Sequence, residues 1–205
     1  VLLTGGSMMY IDAVCQGIDD IPTVPTDIRA AVLADYGHLG LDALLDELRQ
    51  ADPVHFAEVD RRNPRRVIHA VEICRTAGRP YSDFRTRTVK VRPFRILKIG
   101  LVRPREELFH RIDARVDQMM DDGLLREARA LYPQRHLNAL NTVGYKELFQ
   151  HFDGQLSLDE AVARIKRNTR VYARKQQTWF RRDPSITWFH PDDTAHILRF
   201  LDEVL

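Results

Sequence analysis

Most hydrophobic positions of this chain recur at helical intervals. In "LDALLDELRQADP" Leu41, Leu44, Leu45 and Leu48 stand three and four residues apart, which predicts an amphipathic helix that stops at Pro53. Just upstream, "GIDDIPTVPTDIRA" is a polar link with two prolines, and Thr26 is placed to cap a helix beginning near Asp27. Asn63 followed by Pro64 is a second helix start, a capping side chain before a residue with no N–H to lose. Val67, Ile68, Val71 and Cys74 follow it at helical spacing until "AGRP" ends the run. The chain from about residue 20 to 90 is therefore expected to be mostly helical.

The pattern then changes. "FRILKIGLVRP" alternates and is rich in branched side chains, which predicts a strand from about Arg95 to Val102. Helix returns in "PREELFHRIDARVDQMMDDGLLREARALYP", with Gly123 as a kink or break, and again from Ser157, which forms a capping box with Glu160. At the start, "VLLTGGSMMY" reads as a strand over Val1 to Leu3 that turns through Gly5 and Gly6 into a helix near Ser7. The free N–H groups of that helix would face whatever lies there. The stretch lacks the Lys and hydroxyl residue of a G-x-x-x-x-G-K-[ST] loop, so a plain strand-to-helix connection stays open beside a ligand-approaching turn. The chain opens inside this unit and without Met, so part of the protein is expected upstream.

These elements predict an α/β fold, predominantly helical, in which a nucleotide-binding type of core is interrupted by a helical insertion. The expected divisions are residues 1–19 for part of the core, 20–92 for the insertion and 93–205 for the rest of the core with its basic helix. At 205 residues and 44% hydrophobic, the chain can bury one sizeable core with a smaller appended subdomain. Cys15 and Cys74 form no C-x-x-C pattern, so neither a disulfide framework nor a zinc site is indicated, and a reducing, cytoplasmic setting fits. No apolar run approaches the roughly 18 residues of a membrane span. The histidines show no metal-ligand spacing, so no structural metal is expected.

Charge changes the picture through its distribution. The net value is only +2, from 31 Lys and Arg against 29 Asp and Glu, but the basic residues cluster late. From Arg164 to Arg182 there are eight basic residues and no acidic one, interleaved with Tyr172, Trp179 and Phe180. Ile165, Tyr172 and Trp179 mark the expected packed face, with Arg167, Arg170, Arg174 and Arg181 roughly 140° to 200° away from Ile165. Such a face can simply be solvated, but its single sign favours a polyanion, with nucleic acid ahead of an anionic membrane surface. Arg65 and Arg66 make a second basic spot in the first turn of a helix, where bound phosphates would offset their conflict with the dipole. In the helix after Pro104, Leu108, Ile112 and Met119 define an apolar stripe, and Arg115 falls about 20° from Leu108, inside it. An inward guanidinium needs an anion, and Arg111 one turn earlier faces the same neighbourhood. A structural ion pair and a diphosphate clamp both answer that need.

Several segments together resemble the tRNA dimethylallyltransferases, also called tRNA isopentenyltransferases: "GGSMMYIDAVCQGI", "VPTDIRA", "NPRRVIHAVEI" with "TAGRP", "RIDARVDQMMDDGLLREARAL", "NTVGYKEL" and "TRVYARKQQTWFRR". The resemblance implies transfer of a dimethylallyl group from dimethylallyl diphosphate to N6 of the adenosine immediately 3′ of the anticodon. It implies a P-loop NTPase-like core with a helical insertion that grips the anticodon stem-loop, Mg2+ at the diphosphate, a cytoplasmic monomer and no membrane. Arg115 matches the arginine that contacts the diphosphate, with Arg111 a nearby candidate. Ser7 and Arg29 match positions that contact tRNA, as do Arg65, Arg66, Val67, Ile68 and His69. Asn141, Thr142, Val143, Gly144, Tyr145 and Lys146 match a further RNA-facing segment, and Arg174, Lys175, Gln176, Trp179 and Arg181 another. The family's P-loop and its general-base Asp have no counterpart in this chain, and the Mg2+ would be held mainly by that absent part and the diphosphate. Ser7 stands where Thr is usual, Thr4 where Val is usual, and "ARKQ" replaces "AKRQ". This polypeptide alone is thus expected to be inactive, and a non-catalytic RNA-binding or regulatory module is the alternative.

Overall fold

Leucines at helical spacing become the core of the first of two compact units, Met9–Phe94. The computed structural model describes residues 1–86 and 88–204; Arg87 and Leu205, which the expected divisions include, lie outside the described residues. Helix α1 (Met8–Gln16) leads into α2 (Thr26–Ala51), α3 (Pro53–Glu58) and α4 (Pro64–Ala77). Val32, Leu44 and Leu48 of α2 pack on Val67, Ala70 and Val71 of α4, all essentially inaccessible. Asn63 caps α4 by accepting from the Arg66 N–H, and Gly78 ends it in the left-handed region at φ 65°. Thr26 is the first helical residue rather than the cap: Pro25 precedes the helix at φ −59° and ψ 150°, and no side chain caps α2.

Helix α2 is broken at Gly40, whose φ of 82° and ψ of −176° only glycine adopts easily. Arg75 of α4 spans that break, donating from Nη1 to Asp35 at 2.8 Å and from Nε and Nη2 to Glu47 at 2.7 and 2.6 Å. At the junction of α2 and α3, Asp52 is 0% exposed and accepts from the N–H of His55 at 2.8 Å, the N–H of Ser82 at 2.7 Å and the Ser82 hydroxyl at 2.8 Å. These bonds tie a short 3-10 turn, Tyr81–Phe84, to the helices. The unit takes in α1, not only residue 20 onward, because the chain returns to it: Lys90 N–H donates to Gln16 O at 2.7 Å and Arg92 to Ala13 O at 2.6 Å.

The second unit joins Val1–Met8 to Arg95–Leu205. Its sheet is two parallel strands, β1 (Lys98–Leu101) and β2 (Ile186–Phe189), in the register Lys98 with Ile186 and Leu101 with Phe189. The strand expected over 95–102 is thus shorter, and its partner "ITWF" escaped the sequence reading because four residues carry little periodicity. Gly100 lets the strands' side chains close over it, since a Cβ there would sit 2.5 Å from the Trp188 ring. Val1 to Leu3, expected as a strand, is exposed and unpaired in any sheet among the described residues.

The parallel crossover carries α5 (Arg105–Asp121), α6 (Leu124–Leu131), α7 (Tyr145–Phe152) and α8 (Leu158–Phe180), and α9 (Thr194–Val204) follows β2. Gly123 at φ 102° separates α5 from α6. Val116, Leu124, Ala128, Leu148, Phe149, Ala161 and Ile165 form the core of these helices. The Ser157 and Glu160 capping box is present at 3.2 and 2.8 Å. The fold is α/β and predominantly helical.

Candidate functional site

In the unit that contains the sheet, the basic helix α8 lies along α5, and the two exchange charges. Arg170 donates to both oxygens of Asp113, at 2.5 and 2.6 Å, and Lys166 reaches Asp117 at 2.6 Å. The acids absent between Arg164 and Arg182 are supplied by α5, one turn apart, so Arg170 belongs to a helix contact and not to a free arginine face. Exposed Arg167, Arg174, Lys175 and Arg181 have no side-chain partner among the described residues. The packed face also differs: Ile165 is 2% exposed but Tyr172 is 43% exposed, because the fully buried positions of α8 end at Ile165. Trp179 is half-buried with the Arg182 guanidinium 5.5 Å from its ring centre.

Gln176 turns toward its own chain. Its amide donates to Gly6 O at 2.7 Å, and a Cβ on Gly6 would stand 2.3 Å from the same nitrogen. The Gly5-Gly6 turn, with Gly5 at φ 149°, is thereby fastened to α8, and the exposed Ser7 sits just before α1. Asn141, Thr142, Val143 and Lys146 are exposed, whereas Gly144 is buried at φ 106° with its N–H given to Glu147 at 2.8 Å. Glu147, 3% exposed, also accepts from Asn168 of α8 at 2.7 Å, so one buried carboxylate pins the loop. Tyr145 is half-buried, its hydroxyl bonded to Glu127, a contact that moves its pKa up.

Arg115 is exposed, not inward. Phe109, Val116 and Met120 are also covered, and with them the stripe of α5 centres about 60° from Leu108, leaving Arg115 roughly 80° from its middle. Arg111 is exposed as well, one turn earlier on that flank. At the carboxyl ends of the strands, Arg103 binds Asp192 through two bonds of 2.6 and 3.0 Å and also Glu107. The bonds from Arg103, with the charge of Arg111 contributing, hold the Asp192 carboxyl below the usual carboxylate range. Glu107, His190 and Asp192 place ligand atoms within 4.8 Å of one another. Mg2+ does not fit this group: it takes oxygen ligands and retained water, and both carboxylates here are already bound to a guanidinium.

In the helical unit, Arg65, Arg66 and His69 are exposed on α4, and Arg29 is exposed on α2. Arg29 Nε donates to Glu72 at 3.2 Å. Ile68 is half-buried. Val67 is 0% exposed and belongs to the core, so its side chain has no surface to offer a ligand. Glu72 and Glu147 are the residues the sequence reading passed over; their partners lie 43 and 21 positions away, beyond any local signal.

Compared with known proteins, residues 1–183 match the family model described as IPP transferase. The tRNA dimethylallyltransferase 2 of Parabacteroides distasonis is 65% identical over 203 residues, covering 99% of this chain and 68% of that protein. The tRNA dimethylallyltransferase 1 of Phocaeicola vulgatus is 59% identical over 204 residues, covering 100% and 68%. Among solved structures, the full-length tRNA isopentenylpyrophosphate transferase of Bacillus halodurans superposes with a TM-score of 0.57 at 34% identity, covering 96% of this chain and 62% of that one. A eukaryotic dimethylallyltransferase acting on tRNA gives a TM-score of 0.67 at 26% identity, covering 86% and 46%. The chain spans about two thirds of the length of the curated relatives it matches.

Proposed function

We propose, from the premise that this chain belongs to the IPP transferase family, that the protein is a tRNA dimethylallyltransferase. It moves a dimethylallyl group from dimethylallyl diphosphate to N6 of the adenosine immediately 3′ of the tRNA anticodon. The observation that carries this reading is 65% identity, across 99% of the chain, to a relative bearing that name.

In the reaction the N6 nitrogen bonds to the allylic carbon, the carbon–oxygen bond breaks, diphosphate leaves with the electron pair, and N6 loses a proton. What this chain supplies is charge and grip. Arg115 and Arg111, exposed one turn apart on α5, receive the diphosphate, whose growing negative charge they stabilise as it departs. Arg115 suits that role because no partner among the described residues competes for it. The unpaired Arg174, Lys175 and Arg181 of α8, with exposed Asn141, Thr142, Val143 and Lys146, meet the RNA backbone. Ser7, fastened beside α8 through Gly6 and Gln176, faces the target nucleotide, which must leave its stack to react. Arg29, Arg65, Arg66 and His69 form the gripping surface of the helical unit. As part of the same proposal the protein works in the cytoplasm as a monomer. Among the described residues no helix is long and apolar enough to cross a membrane.

Deleting the gene and analysing nucleosides from bulk tRNA tests the proposal. Isopentenyladenosine should vanish and return on complementation; a non-catalytic RNA-binding module would leave the modification in place.

A further inference from the structure

Glu72 is a buried carboxylate that the transfer chemistry does not use. It lies on α4 between the core residues Val71 and Ile73, with 6% of its side chain exposed. Removing an ionised carboxylate from water costs several kcal/mol unless its oxygens are well paired. Those oxygens are divided between two helices. Oε1 accepts from Arg29 Nε of α2 at 3.2 Å, and Oε2 faces Nδ1 of His69, one turn back on α4, at 3.9 Å, an electrostatic approach rather than a hydrogen bond.

Both partners are themselves open to solvent, at 55% and 47% side-chain exposure. Arg29 turns only Nε inward, so both of its Nη groups remain free among the described residues, and His69 turns Nδ1 inward and leaves Nε2. The Tyr81 ring meets the His69 imidazole edge-on, with centroids 5.5 Å apart, which limits its rotation. Arg65 lies one turn before His69 on the same face. A purely structural ion pair would not need a second basic side chain facing the other oxygen, nor partners whose remaining polar atoms point to water.

We propose that Glu72 is a positioning residue for RNA binding: from beneath the surface it orients Arg29 and His69 together, so that their outward nitrogens meet neighbouring groups of the RNA backbone. The carboxylate screens the two basic groups from each other and restricts the long Arg29 side chain before RNA arrives, which lowers the ordering cost of binding. This rests on the reading that the basic face of the helical unit meets tRNA.

The test is a double-mutant cycle in the full-length protein, reading affinity for an RNA hairpin with the anticodon-loop sequence. Glu72→Gln keeps the size and removes the charge; it should weaken binding about fivefold in the wild-type background. In the R29A/H69A background the same change should have almost no effect, and Glu72→Asp in the wild-type background should retain part of the affinity. An equal loss in both backgrounds, or no loss in either, overturns the positioning role. If E72Q does not fold, E72D carries the same comparison between backgrounds. Should R29A and H69A themselves leave affinity unchanged, the RNA reading of this face falls first, and the role of Glu72 with it.

Discussion

At the scale of single residues, the contrast between Arg115 and Arg103 is instructive. Both are arginines of the segment that follows β1, but Arg103, just past the strand, is committed to Asp192 and Glu107, while Arg115, well along α5, has no partner among the described residues. A guanidinium held by two carboxylates has little to offer an incoming diphosphate, whereas an unpaired one binds it at full strength. Arg115→Ala should therefore slow transfer and weaken diphosphate binding roughly tenfold or more, with tRNA affinity nearly unchanged, as separate titrations with each substrate would report. An unaltered rate would end its assignment. The caps at Asn63 and Ser157 were legible in the sequence because donor and acceptor lie three residues apart. Leu108, Ile112 and Met119 alone put Arg115 inside the stripe, but Phe109, Val116 and Met120 widen it away from Arg115, which therefore faces outward. Gln176, matched to an RNA-facing position, spends its amide on Gly6, a partner 170 positions away that no local pattern announces.

Among elements, α8 shows how charge read along one helix can mislead. Its run of basic residues was legible, but Arg170 and Lys166 are matched by Asp113 and Asp117 on α5, so only part of the run is free. Replacing Arg174 and Arg181 by Ala should weaken RNA binding and reduce the slope of log affinity against log salt by about 1.5, on a contribution of about 0.7 to 0.9 per phosphate. An unchanged slope would mean that this face of α8 does not touch phosphates. Helix α2 makes the opposite point. Its leucines predicted a helix, but the break at Gly40 was hidden, and the residue that spans it, Arg75, comes from α4. The bonds to Asp35 and Glu47 push the Arg75 pKa up, so the pairing favours the folded state. Arg75→Ala should cost about 1 to 2 kcal/mol in denaturant unfolding. Lysine should not restore the loss, because a point charge cannot reach both carboxylates as the planar fork does.

For the molecule as a whole, the alternation of helical and strand patterns was enough to indicate an α/β fold with a helical segment set within it. The division into units was less legible, because α1 is joined to the Met9–Phe94 unit by bonds from Lys90 and Arg92 across more than seventy positions. Acid should act on that unit through His55 and Asp52. Burial and the neighbouring Arg85 charge lower the His55 pKa below its ordinary 6.5, and its Nδ1 lies 2.9 Å from an Arg85 nitrogen that can only donate. The unfolded chain therefore binds more protons here, so stability is full above about pH 6.5 and is lost as pH falls from there through the lower folded-state pKa. Burial raises the Asp52 pKa, but the bonds from His55 and Ser82 outweigh it and leave it below 3.8, so a second loss follows at more acid pH. Thermal unfolding followed from pH 7.5 to 5 should show the first decline, and His55→Gln should flatten it.

The proposed activity is tested most directly with the full-length protein, dimethylallyl diphosphate labelled in its allyl group, and two anticodon stem-loop RNAs. One carries adenosine immediately 3′ of the anticodon, and the other carries guanosine there, which lacks the N6 amine. Label should enter the first RNA, be recovered as N6-isopentenyladenosine, and stay out of the second. Binding of both hairpins without transfer of label to either, or label appearing at another nucleotide, would contradict the account.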